Sequence, residues 1–314
     1  MTAPTVKELA QWLPEPQAQD DKYSRGVVGM RTGSARYPGA AVLGVGAAWA
    51  AGAGMVRYST PESTYTSPDL PTPASAVLTA HPETVFDSGR CDAWVCGSGT
   101  TAEERTAAET RFITDRLGER APVVLDAGAL DLAAAAAAPA AAPAAATQTI
   151  VTPHWGEFCA MWEKAGLPEL PAQPDRGACA RELAQHLNAV VVLKGSVTHI
   201  AAPEGRVESV GPSSAYLATA GSGDVLAGVL GSLLAQNSKR CDGQLSVAQI
   251  VDVAKTAVRI HALAAEFASD THRNAENREK RPARSFTASA LIPAVTHAIA
   301  HTRAAAGNSD FVWA

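Results

Sequence analysis

The chain has 314 residues, of which 46% are hydrophobic and 18% are charged, enough to bury a sizeable core in one large domain or two small ones. The net charge of −5 and the lack of a long basic run argue against a nucleic acid or an anionic membrane as partner. The five cysteines are odd in number and form no C-x-x-C pair, which argues against a disulfide framework or a zinc site and favours reduced thiols in a cytoplasmic protein.

No segment of the sequence is typical of a signal peptide or a membrane span. Residues 1–16 have no apolar core of the signal-peptide type. The longest apolar stretch, residues 40–56, is shorter than the roughly 20 residues that a bilayer-spanning helix needs, and glycines interrupt it. We expect this stretch to form a buried helix that ends near Gly52 or Gly54.

Short apolar runs alternate with longer helical patterns along the chain. The predicted strands cover residues 27–31, 55–60, 93–97, 123–127, 149–152, 191–196 and 198–202. The predicted helices cover residues 38–51, 102–118, 156–165, 175–188, 224–236 and 246–268. This alternation predicts an α/β fold in which helices cover both faces of a largely parallel sheet. Ligands in such folds bind beyond the carboxyl ends of the strands.

Two further segments are expected to be peripheral. Residues 132–146 are rich in alanine and contain Pro139 and Pro143, which predicts a frayed surface helix or a loop. Residues 268–285 are polar and basic, a composition that predicts an exposed or disordered loop, with an RNA or protein contact as the alternative.

Loops rich in glycine or polar residues follow five of the predicted strands. In chain order they cover residues 33–41, 96–101, 125–130, 152–158 and 193–200. The first loop enters a helix at Pro38, and proline suits the first turn of a helix. In the second, Gly97 and Gly99 would allow a ligand to lie against the main chain.

The later loops carry four ionisable side chains, and each has a structural alternative to a role in a site. Asp126 ends a predicted strand and could instead cap the next helix. His154 and Glu157 lie three residues apart at a strand-to-helix turn, where a structural histidine and a first-turn acid are the alternatives. Lys194 lies at the tip of a tight connection between two strands, where an ordinary hairpin charge is the alternative.

The most informative stretch is TAGSGDVLAGVLG, residues 219–231, in which a Gly-Ser-Gly-Asp turn precedes an apolar helix. Gly221 and Gly223 free the backbone to bend and to approach a ligand closely. The first N–H groups of the helix lack intrahelical partners and carry its positive dipole end, so the turn predicts a phosphate site. Asp224 is either a helix cap or a base held beside a transferring phosphoryl group.

Phosphate cradles, a lysine and a pair of acids are the components of a phosphoryl-transfer site. The sequence contains no P-loop motif, and no G-x-G-x-x-G motif follows a strand. It does contain, in order, KYSRGVVGMRTGSARYPGAAVLGVGAAWAAGAGMVRY, AWVCGSGT, VVLDAGAL, VTPHWGEF, VVLKGSVTHIAAPEGRV and LATAGSGDVLAGVLGSLLAQ. With the closing segments AVRIHALAAEFA and SFTASALIPAV, these motifs resemble the NAD(P)H-hydrate dehydratases over about residues 20–300.

The resemblance implies a ribokinase-like three-layer α/β/α sandwich with a mostly parallel central sheet. It implies a single domain over residues 1–314, with a core at about 20–300 and no fused epimerase domain. The implied activity is repair of hydrated NADH or NADPH: a nucleotide phosphorylates the ring hydroxyl, and phosphate, a better leaving group than hydroxide, is then eliminated. Two alternatives remain, a kinase for a small alcohol such as a vitamin precursor and a non-catalytic nucleotide-binding relative.

The resemblance also implies roles for individual residues. Asp224 is expected to be the base and a substrate contact, beside an anion hole formed by Gly221, Ser222 and Gly223. The nucleotide is expected to contact Gly223 together with Lys194, Gly195, Ser196, Val197 and Thr198. The hydrated dinucleotide is expected to contact Ala40, Gly99 and His154. Glu157 occupies the place of an acid that helps to hold Mg²⁺ through water.

The same resemblance implies the cofactors and partners. ADP is the expected phosphoryl donor and would be converted to AMP, with ATP as the alternative, and Mg²⁺ is the expected metal. The expected substrates are hydrated NADH and NADPH, with a functional link to a separate NAD(P)H-hydrate epimerase and without a nucleic acid or membrane partner. The protein is expected to be a cytoplasmic homotetramer.

Overall fold

One eight-stranded sheet forms the centre of the protein. The computed structural model describes residues 5–136, 148–272 and 283–307. Its strands are β1 (Val27–Arg31), β2 (Met55–Tyr58), β3 (Ala93–Cys96), β4 (Val123–Leu125), β5 (Thr149–Val151), β6 (Val190–Leu193), β7 (Thr198–Ala201) and β8 (Val207–Val210). Their order across the sheet is β2-β1-β3-β4-β5-β6-β7-β8. The first six strands run parallel, and β7 and β8 extend the sheet in antiparallel pairing.

The seven strands predicted from the sequence are confirmed, most of them ending one to three residues earlier than predicted. The eighth strand, β8, was not predicted. Its sequence, VESV, is neither a continuous apolar run nor a clean alternation, and Val207, Glu208 and Ser209 are all partly exposed.

Helices cover both faces of the sheet. They are α1 (Val6–Ala10), α2 (Pro38–Ala50), α3 (Pro73–Ala80), α4 (Ala107–Leu117), α5 (Ala133–Ala136), α6 (Trp155–Lys164), α7 (Arg176–Leu187), α8 (Ser222–Arg240), α9 (Val247–Ala268) and α10 (Ala288–Ala306). The six predicted helices are confirmed. Helix α4 begins five residues later than predicted because Thr106 caps it, accepting a hydrogen bond from the Glu109 N–H. Helix α2 ends at Ala50, ahead of Gly52 with its positive φ of 93°, as its glycines predict.

Two hydrophobic clusters lie on opposite faces of the sheet, because successive strand residues point to opposite sides. On β1, for example, Val28 packs into the cluster with α2, α8, α9 and α10, whereas Val27 packs into the cluster with α4, α6 and α7. The protein therefore has the three-layer α/β/α architecture expected from the resemblance.

The two predicted peripheral segments are described only in part. Residues 127–132 form a 3₁₀ helix that continues into α5, and residues 137–147 lie outside the described part of the chain. Residues 273–282 of the basic segment also lie outside it. Among the helices of the described residues, none combines the length and apolarity that crossing a membrane would require.

Helices α2 and α8 pack in close backbone contact. A Cβ atom added at Gly228 of α8 would lie 2.2 Å from the Gly44 carbonyl oxygen of α2 and 2.9 Å from the Ala47 Cβ. A Cβ atom at Gly44 would lie 3.6 Å from the Asp224 carbonyl oxygen. The missing side chains thus allow the N-terminal halves of the two helices to pack closely.

We expect Gly228→Ala to destabilise the protein by about 1 to 3 kcal/mol, because the added methyl group forces α2 away from α8. Thermal and denaturant unfolding would measure the change. Gly39→Ala, also helical but with nothing within 4 Å of the added Cβ, is the matched control and should not destabilise. Equal stability of the two variants would contradict this account of the packing.

Candidate active site

The glycine-rich and polar loops meet at the carboxyl edge of the parallel strands. The Gly33 N–H donates to the Ser98 carbonyl oxygen at 2.7 Å, which joins the loops after β1 and β3. A Cβ atom at Gly99 would lie 2.3 Å from the Ala40 Cβ, so these two predicted site residues are in contact. The loops after β5 and β6 are joined by the Lys194 N–H, which donates to the Pro153 carbonyl oxygen at 2.9 Å.

The first turn of α8 has the geometry of an anion-binding site. Gly221 precedes the helix with a φ of 88°, and a Cβ atom there would lie 2.5 Å from Leu43 Cδ1, so glycine is required on both counts. Ser222 and Gly223 are the first two helical residues, and the Ser222 hydroxyl donates to the Leu217 carbonyl oxygen at 2.8 Å. Asp224 follows inside the first turn, not at the cap position, so the cap interpretation of Asp224 is wrong.

A buried ion pair lies next to this turn. Lys194 Nζ donates to Asp126 Oδ1 at 2.9 Å, and a Cβ atom at Gly223 would lie 3.5 Å from the same Nζ. Asp126 is only 3% exposed and also accepts hydrogen bonds from the Thr152 hydroxyl at 2.7 Å and the Ser98 hydroxyl at 2.9 Å. Lys194 is therefore not an ordinary hairpin charge. Asp126 precedes the 3₁₀ helix, but its side chain makes no cap hydrogen bond.

The ion pair stabilises the charged form of both partners. Burial alone would raise the pKa of Asp126, but the Lys194 ammonium and the two hydroxyl donors outweigh burial and lower this pKa. Burial alone would lower the pKa of Lys194, but the carboxylates of Asp126, Glu157 and Asp224 outweigh burial and raise this pKa.

Asp224 has the opposite electrostatic environment. Burial raises its pKa, the negative charge of Asp126 raises it further, and Lys194 offsets only part of the change, so that the pKa of Asp224 rises to about 6. A carboxyl group with this pKa is ionised at neutral pH and is a stronger base than an ordinary aspartate, which suits proton abstraction.

His154 and Glu157 form a capping box at the start of α6. His154 Nδ1 accepts hydrogen bonds from the Gly156 N–H at 3.0 Å and the Glu157 N–H at 3.2 Å. Glu157 Oε2 accepts the His154 N–H at 2.7 Å. Because Nδ1 is an acceptor, the proton of the neutral ring lies on Nε2, and the His154 side chain is 62% exposed. The structural histidine and the first-turn acid expected as alternatives are thus both present, and His154 Nε2 lies 3.6 Å from Glu157 Oε2.

Mg²⁺ commonly binds one or two carboxylates together with substrate phosphates and water. Across residues 5–136, 148–272 and 283–307, no group of three or more His, Cys, Asp or Glu side chains could hold a metal ion. The residues present therefore fit a nucleotide-borne Mg²⁺ rather than a metal bound by protein alone. Glu157 fits an outer role, because its side chain is 23% exposed and a single oxygen, Oε2, makes the capping bond.

A backbone hydrogen bond from the segment after β8 holds the turn between β6 and β7. Lys194, Gly195, Ser196 and Val197 connect the two strands, and β7 begins at Thr198. The Ser213 N–H donates to the Ser196 carbonyl oxygen at 2.7 Å. This contact fixes the backbone of the turn beside the first turn of α8.

Three polar residues of this region were not predicted from the sequence. Ser98 and Thr152 bind Asp126, and small hydroxyl residues at strand ends give no distinctive signal. His261 of α9 is 6% exposed, and its Nε2 has no hydrogen-bond partner within the described residues. Burial lowers the pKa of His261 to about 4, while hydrogen bonding to the Ser222 backbone acts in the opposite direction. The apolar sequence around His261 predicts only a buried helix.

The raised pKa of Asp224 predicts a stability cost at neutral pH. The folded protein holds the Asp224 proton up to about pH 6, above the ordinary value of 3.8, so stability falls as pH rises through this window. We expect Asp224→Asn to raise the free energy of unfolding by about 1 to 3 kcal/mol at pH 7.5 and by little at pH 4. Denaturant unfolding at both pH values would measure it, and a variant less stable than the wild type at pH 7.5 would contradict the burial of this charge.

Comparison with known proteins identifies the family. The family model described as NAD(P)H-hydrate dehydratase matches residues 28–280. The bifunctional NAD(P)H-hydrate repair enzyme Nnr of Mycobacterium tuberculosis is 42% identical over 231 residues, which are 72% of this chain and 44% of that enzyme. The chain thus spans less than half the length of this relative.

Two further relatives match over most of both chains. The ADP-dependent (S)-NAD(P)H-hydrate dehydratase of Neisseria meningitidis is 33% identical, over 80% of this chain and 86% of that enzyme. The crystal structure of the ADP/ATP-dependent NAD(P)H-hydrate dehydratase of Bacillus subtilis, co-crystallized with ATP/Mg²⁺, superposes with a TM-score of 0.72 and 26% identity, covering 95% of this chain and 97% of that one. The chain belongs to the NAD(P)H-hydrate dehydratase family.

Proposed function

We propose that this protein dehydrates the S form of hydrated NADH or NADPH to the intact coenzyme, at the expense of a nucleotide phosphate. The observation that carries the proposal is the position of Asp224, a partly buried carboxylate with a pKa of about 6 inside the first turn of α8. A base and an anion site in one helical turn allow deprotonation of a hydroxyl and transfer of a phosphoryl group to it. The name of the Neisseria meningitidis relative, an ADP-dependent (S)-NAD(P)H-hydrate dehydratase, supports a nucleotide as the phosphoryl donor.

Asp224 accepts the proton of the ring hydroxyl while the oxygen attacks the terminal phosphorus of the nucleotide. The backbone of Gly221, Ser222 and Gly223 stabilises the charge that develops on the transferring group. The carbon–oxygen bond then breaks, phosphate leaves with the electron pair, and loss of a proton from the neighbouring ring carbon restores the double bond. With ADP as donor the products are AMP, phosphate and the reduced coenzyme.

The β6–β7 turn forms the nucleotide side of the site. Lys194 contributes a positive charge for the phosphates, and Gly195, Ser196, Val197 and Thr198 provide a turn against which the nucleoside can lie. Gly223 leaves room for the phosphates because it has no side chain. ADP is the proposed donor, following the Neisseria meningitidis relative. When bound, Mg²⁺ neutralises phosphate charge, and Glu157 would hold it through a water molecule.

The opposite side of the site receives the hydrated dinucleotide. Ala40 and Gly99 are in contact, and their small size lets the ring of the ligand approach the backbone closely. His154 provides Nε2–H as a hydrogen-bond donor, because its Nδ1 is occupied by the α6 cap. Ala40 and Gly99 follow β1 and β3, away from the nucleotide turn, whereas His154 follows β5 and pairs with Lys194 at the start of that turn.

The proposed setting is a cytoplasmic metabolite-repair enzyme that forms a single catalytic unit and works with an NAD(P)H-hydrate epimerase. The bifunctional name of the Mycobacterium tuberculosis relative supports that functional link. We further propose a homotetramer. Light scattering at micromolar concentration should give four times the chain mass of 32.4 kDa, and a monomer would contradict the proposed assembly.

The activity is tested by incubating the protein with hydrated NADH, Mg²⁺ and either ADP or ATP, while absorbance at 340 nm reports restored NADH. We expect NADH to appear with ADP. If NADH appeared only with ATP, the proposed reaction would stand and ADP would be rejected as the phosphoryl donor. No NADH with either nucleotide, together with accumulation of a stable phosphoester from an alcohol, would support the kinase alternative instead.

Asp224→Asn is the matched control for this assay. It should lower kcat by about 10²- to 10⁴-fold with nucleotide binding retained, because general-base catalysis acts in the chemical step. In the wild type, kcat/KM should fall about tenfold per pH unit below about pH 6, where Asp224 becomes protonated. Wild-type turnover in the variant would remove Asp224 from its assigned role.

A further inference from the structure

Lys194 is hydrogen-bonded to one carboxylate, Asp126, and acts electrostatically on a second, Asp224. Its Nζ is 2.9 Å from Asp126 Oδ1, and its positive charge also acts on Asp224. Nζ also lies close to Gly223, the residue before Asp224, since a Cβ atom at Gly223 would lie 3.5 Å from it. A flexible lysine stem could therefore serve either acid. If Lys194 paired with Asp224, it would occupy the base and lower its affinity for a proton.

Asp126 is fixed in place independently of any ligand. The Thr152 hydroxyl binds the same oxygen, Oδ1, that contacts Lys194, and the Ser98 hydroxyl binds the other oxygen, Oδ2. The side chain of Asp126 is 5% exposed, whereas that of Lys194 is 20% exposed. Asp126 is thus rigid and buried beneath the site, and Lys194 is the partner that reaches its surface.

We propose that Asp126 is a positioning residue for the reaction: it holds the Lys194 ammonium away from Asp224, so that the lysine faces the nucleotide phosphate and the base stays free. The inference rests on the proposed function, because it assigns Asp224 as the base. Its effect acts through Lys194 and through its own negative charge, not through contact with substrate.

Two charged side chains from neighbouring loops act on Asp224. Asp126 follows β4 and raises the pKa of Asp224, whereas Lys194 follows β6 and lowers it. Glu157 of α6 acts on Lys194. His261 of α9 is neutral at the relevant pH because burial lowers its pKa to about 4. Removal of the Asp126 charge therefore takes away one influence that raises the Asp224 pKa and frees the lysine that lowers it.

The test is Asp126→Asn in the full-length protein. Carboxyl ¹³C NMR would follow the titration of Asp224, and steady-state assays would give kcat and KM for ADP. We expect the Asp224 pKa to fall by about one unit or more and kcat to fall by about tenfold or more at pH 7.5. Asp126→Asn combined with Lys194→Met should reverse most of the pKa change, because the freed lysine is then absent.

Glu109→Gln is the matched control for a purely structural effect. Glu109 is a buried carboxylate, 3% exposed like Asp126, and its Oε2 accepts a hydrogen bond from Arg31 Nε at 2.9 Å in an ion pair between α4 and β1. Its loss should destabilise the fold in the same way and leave the Asp224 titration unmoved. An Asp126→Asn protein with an unshifted Asp224 titration and unchanged kcat would overturn the proposal.

If Asp126→Asn does not fold, the wild type itself provides the test. The proposal requires Asp126 to remain ionised while Asp224 takes up its proton near pH 6, so protonation of Asp126 before Asp224 on lowering the pH would overturn it. The NMR titrations do not depend on substrate. An inactive wild type with the expected titrations would therefore reject the proposed function and retain the electrostatic role of Asp126.

Discussion

The ion pair between Lys194 and Asp126 joins the loops on which the site depends. Lys194 follows β6 and Asp126 follows β4, and the hydroxyl groups of Ser98 and Thr152 bring in the loops after β3 and β5. Buried charges are expensive unless they are paired and hydrogen-bonded, and this carboxylate has three donors. The pair thus fixes the positive charge of Lys194 at the surface of the site, while Asp126 stays buried beneath it.

Asp224 lacks such compensation, and this difference separates the two acids. Asp126 is stabilised as an anion, whereas Asp224 is partly buried, has no hydrogen-bonded cation within the described part of the chain, and has a raised pKa. Two neighbouring carboxyl groups whose pKa values shift in opposite directions have different chemical roles. One stays ionised and sets the local electrostatic field, and the other exchanges a proton. The stability lost at Asp224 is compatible with folding because α8 packs against α2, β1 and β3 over a large apolar surface.

Much of the fold could be predicted from the sequence, because the parallel strands are short, mostly apolar runs and six of the ten described helices have a clear apolar pattern. The turn at Gly221 could also be predicted, since few residues other than glycine adopt its φ of 88°. The partners of Asp126 could not be predicted from the sequence. They lie 26 to 68 residues away in the chain, and a strand-end aspartate before a helix also fits a cap. The edge strand β8 and the buried His261 lacked a distinctive pattern for the same reason: their environment is set by tertiary contacts.

The central claim is that the ring hydroxyl is phosphorylated by the nucleotide before it leaves. Hydrated NADH carrying ¹⁸O in that hydroxyl tests it most directly, with mass spectrometry of the inorganic phosphate formed during turnover with ADP. The account predicts one ¹⁸O atom in each phosphate, because the labelled oxygen attacks phosphorus and departs with it. Unlabelled phosphate together with ¹⁸O in water would show direct loss of the hydroxyl and would contradict the kinase-like mechanism.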